Sequence, residues 1–284
     1  MNTFKTAVLL AAITGLFLLI GYLLGGPTGI IIAFVGAGAL NFFAYWSSDK
    51  LALRMAGAKK VSMQEEPRLH SIVEEVASQA GVPKPRVYMV QNDTPNAFAT
   101  GRNPQHAAVA VTTGIMSLLD ERELRGVLGH ELGHVRNRDI LTSSIVATLA
   151  GAIGMLAWMS MWFGGMGRRD RDNPYAGLIA LAAFLLAPIA AALIQAGISR
   201  TRELQADRTG AEVTHDPEAL ASALEKLQRG VQQRPMEPTP MAQSTAHLYI
   251  VNPFRGGGII NLFSTHPPIE ERVRRLREMA YPSA

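Results

Sequence analysis

Across 284 residues the chain holds no cysteine, which excludes disulfides and thiolate ligands and leaves any metal site to nitrogen and oxygen donors. The formal net charge of +4 and the pI near 9.5 come from basic residues beside long uncharged runs, so they do not point to nucleic acid. The length allows one or two domains, and the apolar content is uneven enough to divide the chain.

From Thr6 to Ser48 there is no charged residue. Gly25-Gly26-Pro27 divides this run into two stretches of about 20 residues, each long enough to cross a hydrocarbon core of roughly 30 Å. Lys5 is too small a basic region, and the apolar stretch too long, for a cleaved signal peptide. Residues 1–48 are therefore predicted as a transmembrane hairpin. Residues 49–139 form a first soluble part. It begins with a helix near Glu65 to Ala80, closed by Gly81 and Pro83, and a strand from Arg86 to Val90. A turn at Asn92-Asp-Thr-Pro-Asn96 leads into an extended stretch, and Ala107 to Thr112 reads as another strand. That strand or the Asn96 segment offers an edge on which an extended peptide can be laid by main-chain pairing.

Asp120 to Arg138 is predicted as a helix, with Asp120 as N-cap and Glu121 and Glu123 in the first turn, where negative charge suits the dipole. Leu124, Val127, Leu128, Glu131 and Val135 recur at helical spacing. From this face emerges His130-Glu131-Leu132-Gly133-His134, an H-E-x-x-H motif. Imidazoles at i and i+4 face the same way, so both can reach one zinc ion at roughly 2.0–2.1 Å, with Glu131 beside the attacking water. Gly129 and Gly133 each cost about 1 kcal/mol relative to alanine and permit close approach of a neighbouring strand or of substrate.

Uncharged runs return at Ile140 to Gly167 and Asn173 to Ser199, separated by Arg168-Arg-Asp-Arg-Asp172. Residues 140–199 are predicted as a second transmembrane hairpin; buried core helices are the competing reading, because Pro188 interrupts the last run. Residues 200–284 complete the soluble part. In its first helical segment Glu203 and Asp207 fall one turn apart on one face. A catalytic zinc takes three protein ligands, which makes Glu203 the candidate third ligand. Asp207 can accept the outer N–H of a ligating histidine. Gln228 to Ala246 reads as a mobile loop, Gly256-Gly-Gly258 as a flexible turn, and Arg272, Arg274, Arg275 and Arg277 fall on a short C-terminal helix. Lys50, Arg54, Lys59 and Lys60 flank the first hairpin, and Arg136, Arg138, Arg200, Arg202 and Arg208 the second, against Arg168, Arg169 and Arg171 in the outer loop. Both soluble parts are therefore expected on the cytoplasmic side.

Four motifs together, Asn96-Ala-Phe-Ala99, His130-Glu-Leu-Gly-His134, Arg202-Glu-Leu-Gln-Ala-Asp207, and Thr265-His266-Pro267 followed by Arg272, resemble the HtpX-type heat-shock metalloproteases of bacteria and archaea. More distantly they are similar to the eukaryotic CAAX prenyl proteases. With four apolar segments in the expected order, the resemblance covers essentially the whole chain. It implies a mainly α membrane protein, with four transmembrane helices in two hairpins and a small α+β zincin-like (gluzincin) metalloprotease domain. It implies one zinc ion per chain held by His130, His134 and Glu203, with Glu131 as general base. It further implies that Asn96 contacts substrate backbone, with Phe98 in the same substrate-binding segment, and that His266, supported by Arg272, steadies the tetrahedral intermediate.

The expectation is a multi-pass enzyme of a prokaryotic inner membrane, active on the cytoplasmic side against polypeptides, above all misfolded or damaged membrane proteins in the lipid bilayer; its oligomeric state is left open. One alternative is a membrane adaptor that keeps a zinc site for structure alone, against which Glu131 argues, since a structural site needs no base. Another is a prenyl-protein processing enzyme, whose relatives have a larger membrane chamber than four spans build.

Overall fold

The computed structural model describes residues 2–141, 143–145, 200–254 and 267–281. Asn2–Met55 form one helix, α1, with Pro27 inside it, instead of two helices parted at Gly25-Gly26-Pro27. Gly26 takes φ +55 there, a conformation that glycine adopts without a Cβ penalty, and the helix continues past the proline. The sharp bend comes later, 64° between Gly26–Leu40 and Tyr45–Met55. Ile30, Ile31, Ile32, Phe34 and Val35 are all exposed, so apolar side chains stand on every side of α1. Among the described residues no single helix is long and apolar enough to cross a membrane; the bent pair passes only when its two parts are taken together. Of the hairpin predicted over 140–199, only the helical positions 140, 141 and 143–145 are described.

Beyond Met55 the chain builds a four-stranded sheet from β1 (Ala58–Lys60), β2 (Arg86–Val90), β3 (Ala97–Thr100) and β4 (Ala108–Thr112), in the order β1-β2-β4-β3. β2 and β4 run parallel with Arg86 opposite Ala108, and the outer pairs are antiparallel. The two-residue period of the strands separates two cores. Val87, Met89, Ala97, Ala99, Val109 and Val111 pack toward the helices, whereas Val90, Phe98, Ala108 and Ala110 meet Ala52 and Leu53 from the end of α1. The long apolar helix thus docks on the sheet face opposite the helices that carry the site.

Those helices follow from local signals. In α2 (Pro67–Ala80) proline at the first turn needs no donor, Leu69, Ile72, Val73, Val76 and Ala80 make a buried stripe, and Gly81 at φ +67 ends it. After α3 (Thr113–Leu118), α4 (Glu121–Arg136) opens with a complete capping box between Asp120 and Glu123, worth about 1 kcal/mol. Glu123 also accepts from Ser222 and Lys226, tying α4 to a later helix. The chain continues through α5 (Arg200–Thr214), α6 (Pro217–Gln233), α7 (Pro240–Thr245) and α8 (Ile269–Ala280). The loop expected over Gln228–Ala246 is therefore only partly a loop. Leu220, Leu224, Leu227 and Val231 carry an apolar stripe to the end of α6, and a short helix capped by Thr239 follows the prolines.

Candidate metal centre

The site is made where α4 and α5 cross at glycines. A Cβ on Gly210 would lie 2.6 Å from the His130 nitrogen, and one on Gly129 would lie 2.7 Å from the Thr214 methyl. Gly133 faces the Ala206 carbonyl in the same way, at 3.1 Å. The close approach expected at Gly129 and Gly133 is thus to another helix, rather than to a strand or substrate. It brings the α5 carboxylates against the α4 histidines.

His130 Nε2 and His134 Nε2 stand 3.2 Å apart, and the Glu203 carboxylate oxygens lie 3.7 Å from the first and 3.6 Å from the second. Donors about 2.0–2.1 Å from one tetrahedral ion are about 3.3 Å from each other, so this triangle fits the edges of a zinc site. Among the described residues it is the one group of three such side chains able to hold a metal. The charge balance agrees. Burial pulls His134 down, but Asp139 and Glu203 outweigh it and lift the imidazole to about 10. A field that holds a proton there is the field a divalent cation would enter, displacing that proton. His130, fully buried, is held below its ordinary value by desolvation, as suits a neutral ligand.

Both imidazoles are fixed from behind. Nδ1 of His130 is 2.8 Å from Asp207 Oδ1, which leaves Nε2 as the free lone pair. Arg272 Nη2 also lies 3.4 Å from that nitrogen, but a guanidinium only donates, so the shorter carboxylate contact decides the tautomer. Arg272 grips Asp207 with two N–H groups, and although burial alone would raise Asp207, Arg272 and His130 hold it at about 2.

Nδ1 of His134 meets Asp139 Oδ2 at 3.1 Å, a partner that the sequence reading missed. Past the end of α4 periodicity gives no guidance. Asp139 reaches back because Arg138 turns left-handed at φ +58, with its amide on Val135 O and the Asp139 amide on His134 O. This is a Schellman closure, with arginine where glycine is usual.

Glu131 is 1% exposed and its Oε1 has no hydrogen-bond partner among the described residues. Desolvation lifts it to about 7, His134 opposing and Glu203 adding. It opens on a cavity of about 20 Å³ lined by the ligands, Ala99, Ile140, Ser143 and Leu248 to Ile250.

The remaining expected residues fall differently. Asn96 is fully buried, its Nδ2 donating to Val251 O at 2.7 Å and its Oδ1 accepting from Val251 N at 3.3 Å. Phe98 is 1% exposed and packs edge-on to Tyr249, on the sheet face away from α4, so its side chain offers no surface to a substrate in the cleft. Two-residue alternation along β3 explains this, since Ala99 is the neighbour that faces Glu131. Arg272 lies against Asp207. His266 and Gly256 to Gly258 lie outside the described residues.

The sequence profile of Peptidase family M48 matches residues 63–280. The chain is 56% identical over 282 residues to a protein named Protease HtpX homolog from Persephonella marina, spanning 99% of this chain and 98% of that one. A protein of the same name from Methylibium petroleiphilum is 56% identical over 279 residues, 98% of either chain. Among solved structures, that of Ste24p from S. mikatae superposes with a TM-score of 0.51 at 17% identity, covering 97% of this chain and 65% of that one, a likeness of fold. With its H-E-x-x-H helix, its third ligand, a carboxylate, on α5 and these relatives, the chain belongs to Peptidase family M48 and is a metalloprotease.

Proposed function

We propose that the chain is an integral-membrane zinc endopeptidase that cleaves misfolded or damaged membrane proteins on the cytoplasmic side. The observation that carries the reading is the meeting, in one cavity, of three ligand groups with a buried carboxylate, Glu131, whose Oε1 has no hydrogen-bond partner among the described residues. A structural metal site has no use for Glu131, and this counts against an adaptor.

Zinc, when bound, polarises the scissile carbonyl and makes the attacking water more acidic. Glu131 takes the proton of that water and delivers it to the leaving amine. Its dry surroundings raise its affinity for protons above that of an exposed carboxylate, which suits a group that must take a proton and give it up. Asp207 and Asp139 keep His130 and His134 in the tautomer that offers Nε2. The family resemblance assigns His266 to donate to the developing oxyanion, a role whose loss costs about 10²–10³ in rate.

The membrane part of the reading rests on α1, whose large apolar side chains are exposed on all sides over Ile30 to Val35 and again at Phe42, Phe43 and Trp46. Lys50, Arg54, Lys59 and Lys60 follow directly and favour retention on the cytoplasmic side. The four spans in two hairpins, over residues 1–48 and 140–199, remain part of this proposal, the first hairpin requiring the chain to turn back where the described α1 runs on past Pro27.

The test combines cleavage with topology. Purified wild type is expected to degrade an unfolded polypeptide, to lose activity to a chelator and to regain it with zinc. In this cysteine-free chain, cysteines at the exposed positions Met63 and Tyr281 are expected to resist an impermeant thiol reagent in intact cells. Labelling of either from outside would overturn the orientation.

A further inference from the structure

We infer that Tyr249–Val251 is an internal stand-in for substrate main chain, seated on the outer edge of β3, and that it must leave that edge before a peptide can be cut. The inference rests on the proteolytic reading above. β3 is the last strand of the sheet, and in its antiparallel pairing with β4 the main-chain groups of Ala97 and Ala99 point outward. That is where an extended peptide adds as a strand. The position is already taken: Ile250 N–H donates to Ala97 O at 3.1 Å, and the peptide groups of Val251 are gripped at both ends by the Asn96 side chain. Arg272 Nη1 holds the Ile250 carbonyl at 2.9 Å.

The cavity at Glu131 has room for about one water and none for a peptide. Something in its lining must therefore move. His130, Glu131, His134 and Glu203 are the site itself, and Ala99 belongs to the sheet. Ile140 and Ser143 belong to a helical stretch whose Ser144 is bonded to Thr100 at the end of β3. Leu248 to Ile250 lie in neither strand nor α-helix: Leu248 ends a 3₁₀ turn, and Tyr249 and Ile250 fall in the bends that follow. Their release also leaves the metal shell intact, because Arg272 grips Asp207 through Nε and Nη2 and uses Nη1 for Ile250. Every hydrogen bond that the segment gives up is one that an incoming main chain can make again, so the exchange is close to balanced. What favours the closed form is the burial of its side chains, Tyr249 edge-on to Phe98 and Ile250 and Val251 in the main core.

The absence of cysteine allows a direct test in the full-length protein. Ala97 and Ile250 are joined by a backbone hydrogen bond and share one core cluster, which places their Cα atoms within disulfide range. With Ala97→Cys and Ile250→Cys, the oxidised form is expected to bind a fluorescent extended peptide at least about tenfold more weakly than the reduced form of the same protein, in proportion to the lost open fraction. Binding is measured in a Glu131→Gln background, so it does not depend on hydrolysis. Cleavage by the Glu131 form should fall and recover in parallel. Equal binding by oxidised and reduced protein would show that the segment is a fixed wall. A second variant, Tyr249→Ala, loosens the seat and is expected to raise kcat/KM about threefold or more through KM; unchanged or lower kcat/KM in folded protein would contradict the inference. If redox-dependent binding is found but no variant hydrolyses peptide, the stand-in survives and the proteolytic reading fails.

Discussion

Arg272 and Asp207 form a two-pronged ion pair directly behind the first histidine of the metal centre, Nε to Oδ2 at 2.8 Å and Nη2 to Oδ1 at 2.7 Å. Arg272 is fully buried and Asp207 is 3% exposed. Since Oδ1 also takes the Nδ1 proton of His130, the guanidinium fixes the carboxylate and the carboxylate fixes the ring. The family pattern assigned Arg272 to support His266, which lies outside the described residues; among the described residues Arg272 holds Asp207 behind His130, as a positioning residue.

Removing the guanidinium would leave Asp207 charged and dry. Arg272→Ala is expected to cost about 3–5 kcal/mol, read by chemical denaturation, with a loss of zinc. Arg272→Lys keeps the charge but cannot make the fork, so it should fall between. A change within about 0.5 kcal/mol for Arg272→Ala would mean the pair is not buried as described.

Asp139 should matter to affinity rather than to chemistry. Asp139→Ala is expected to weaken zinc binding about 10–100-fold in a chelator competition, while kcat at saturating zinc changes less. Asp139→Asn keeps an acceptor for His134 and should retain most of the affinity. Equal affinity in wild type and Asp139→Ala would remove the residue from the site.

The helix crossing gives a third expectation. Gly210→Ala places a methyl 2.6 Å from the His130 nitrogen and 2.8 Å from the Gly129 carbonyl carbon, both backbone atoms that cannot swing aside. A loss of about 1–3 kcal/mol is expected, together with weaker zinc binding as Glu203 moves from the histidines. Full stability and full zinc content would show that the helices do not touch there.

Much of this site was legible because it is periodic. His130, Glu131 and His134 share a helix whose cap and apolar face stand in the sequence, and Glu203 and Asp207 repeat the same one-turn spacing on a second helix. The parallel pairing of β2 with β4 is not local, and β1 is too short to announce itself. Asp139 was missed because it is placed by a left-handed residue beyond the helix end. The side-chain face of Phe98 was not legible, because membership of a motif does not say which face of a strand a side chain takes. At Gly25-Gly26-Pro27 the described helix runs on, since a glycine before proline can absorb the local cost, and the bend falls later, between Gly26–Leu40 and Tyr45–Met55.

The central claim, that His130, His134 and Glu203 hold zinc while Glu131 works as the base, is tested most directly by measuring zinc content and peptide hydrolysis together on purified wild type, Glu203→Ala and Glu131→Gln. The expected result is about one zinc per chain with hydrolysis in wild type, loss of both in Glu203→Ala, and retained zinc without hydrolysis in Glu131→Gln, whose amide cannot accept the water proton. Normal zinc content in Glu203→Ala, or substantial turnover by Glu131→Gln, would contradict it.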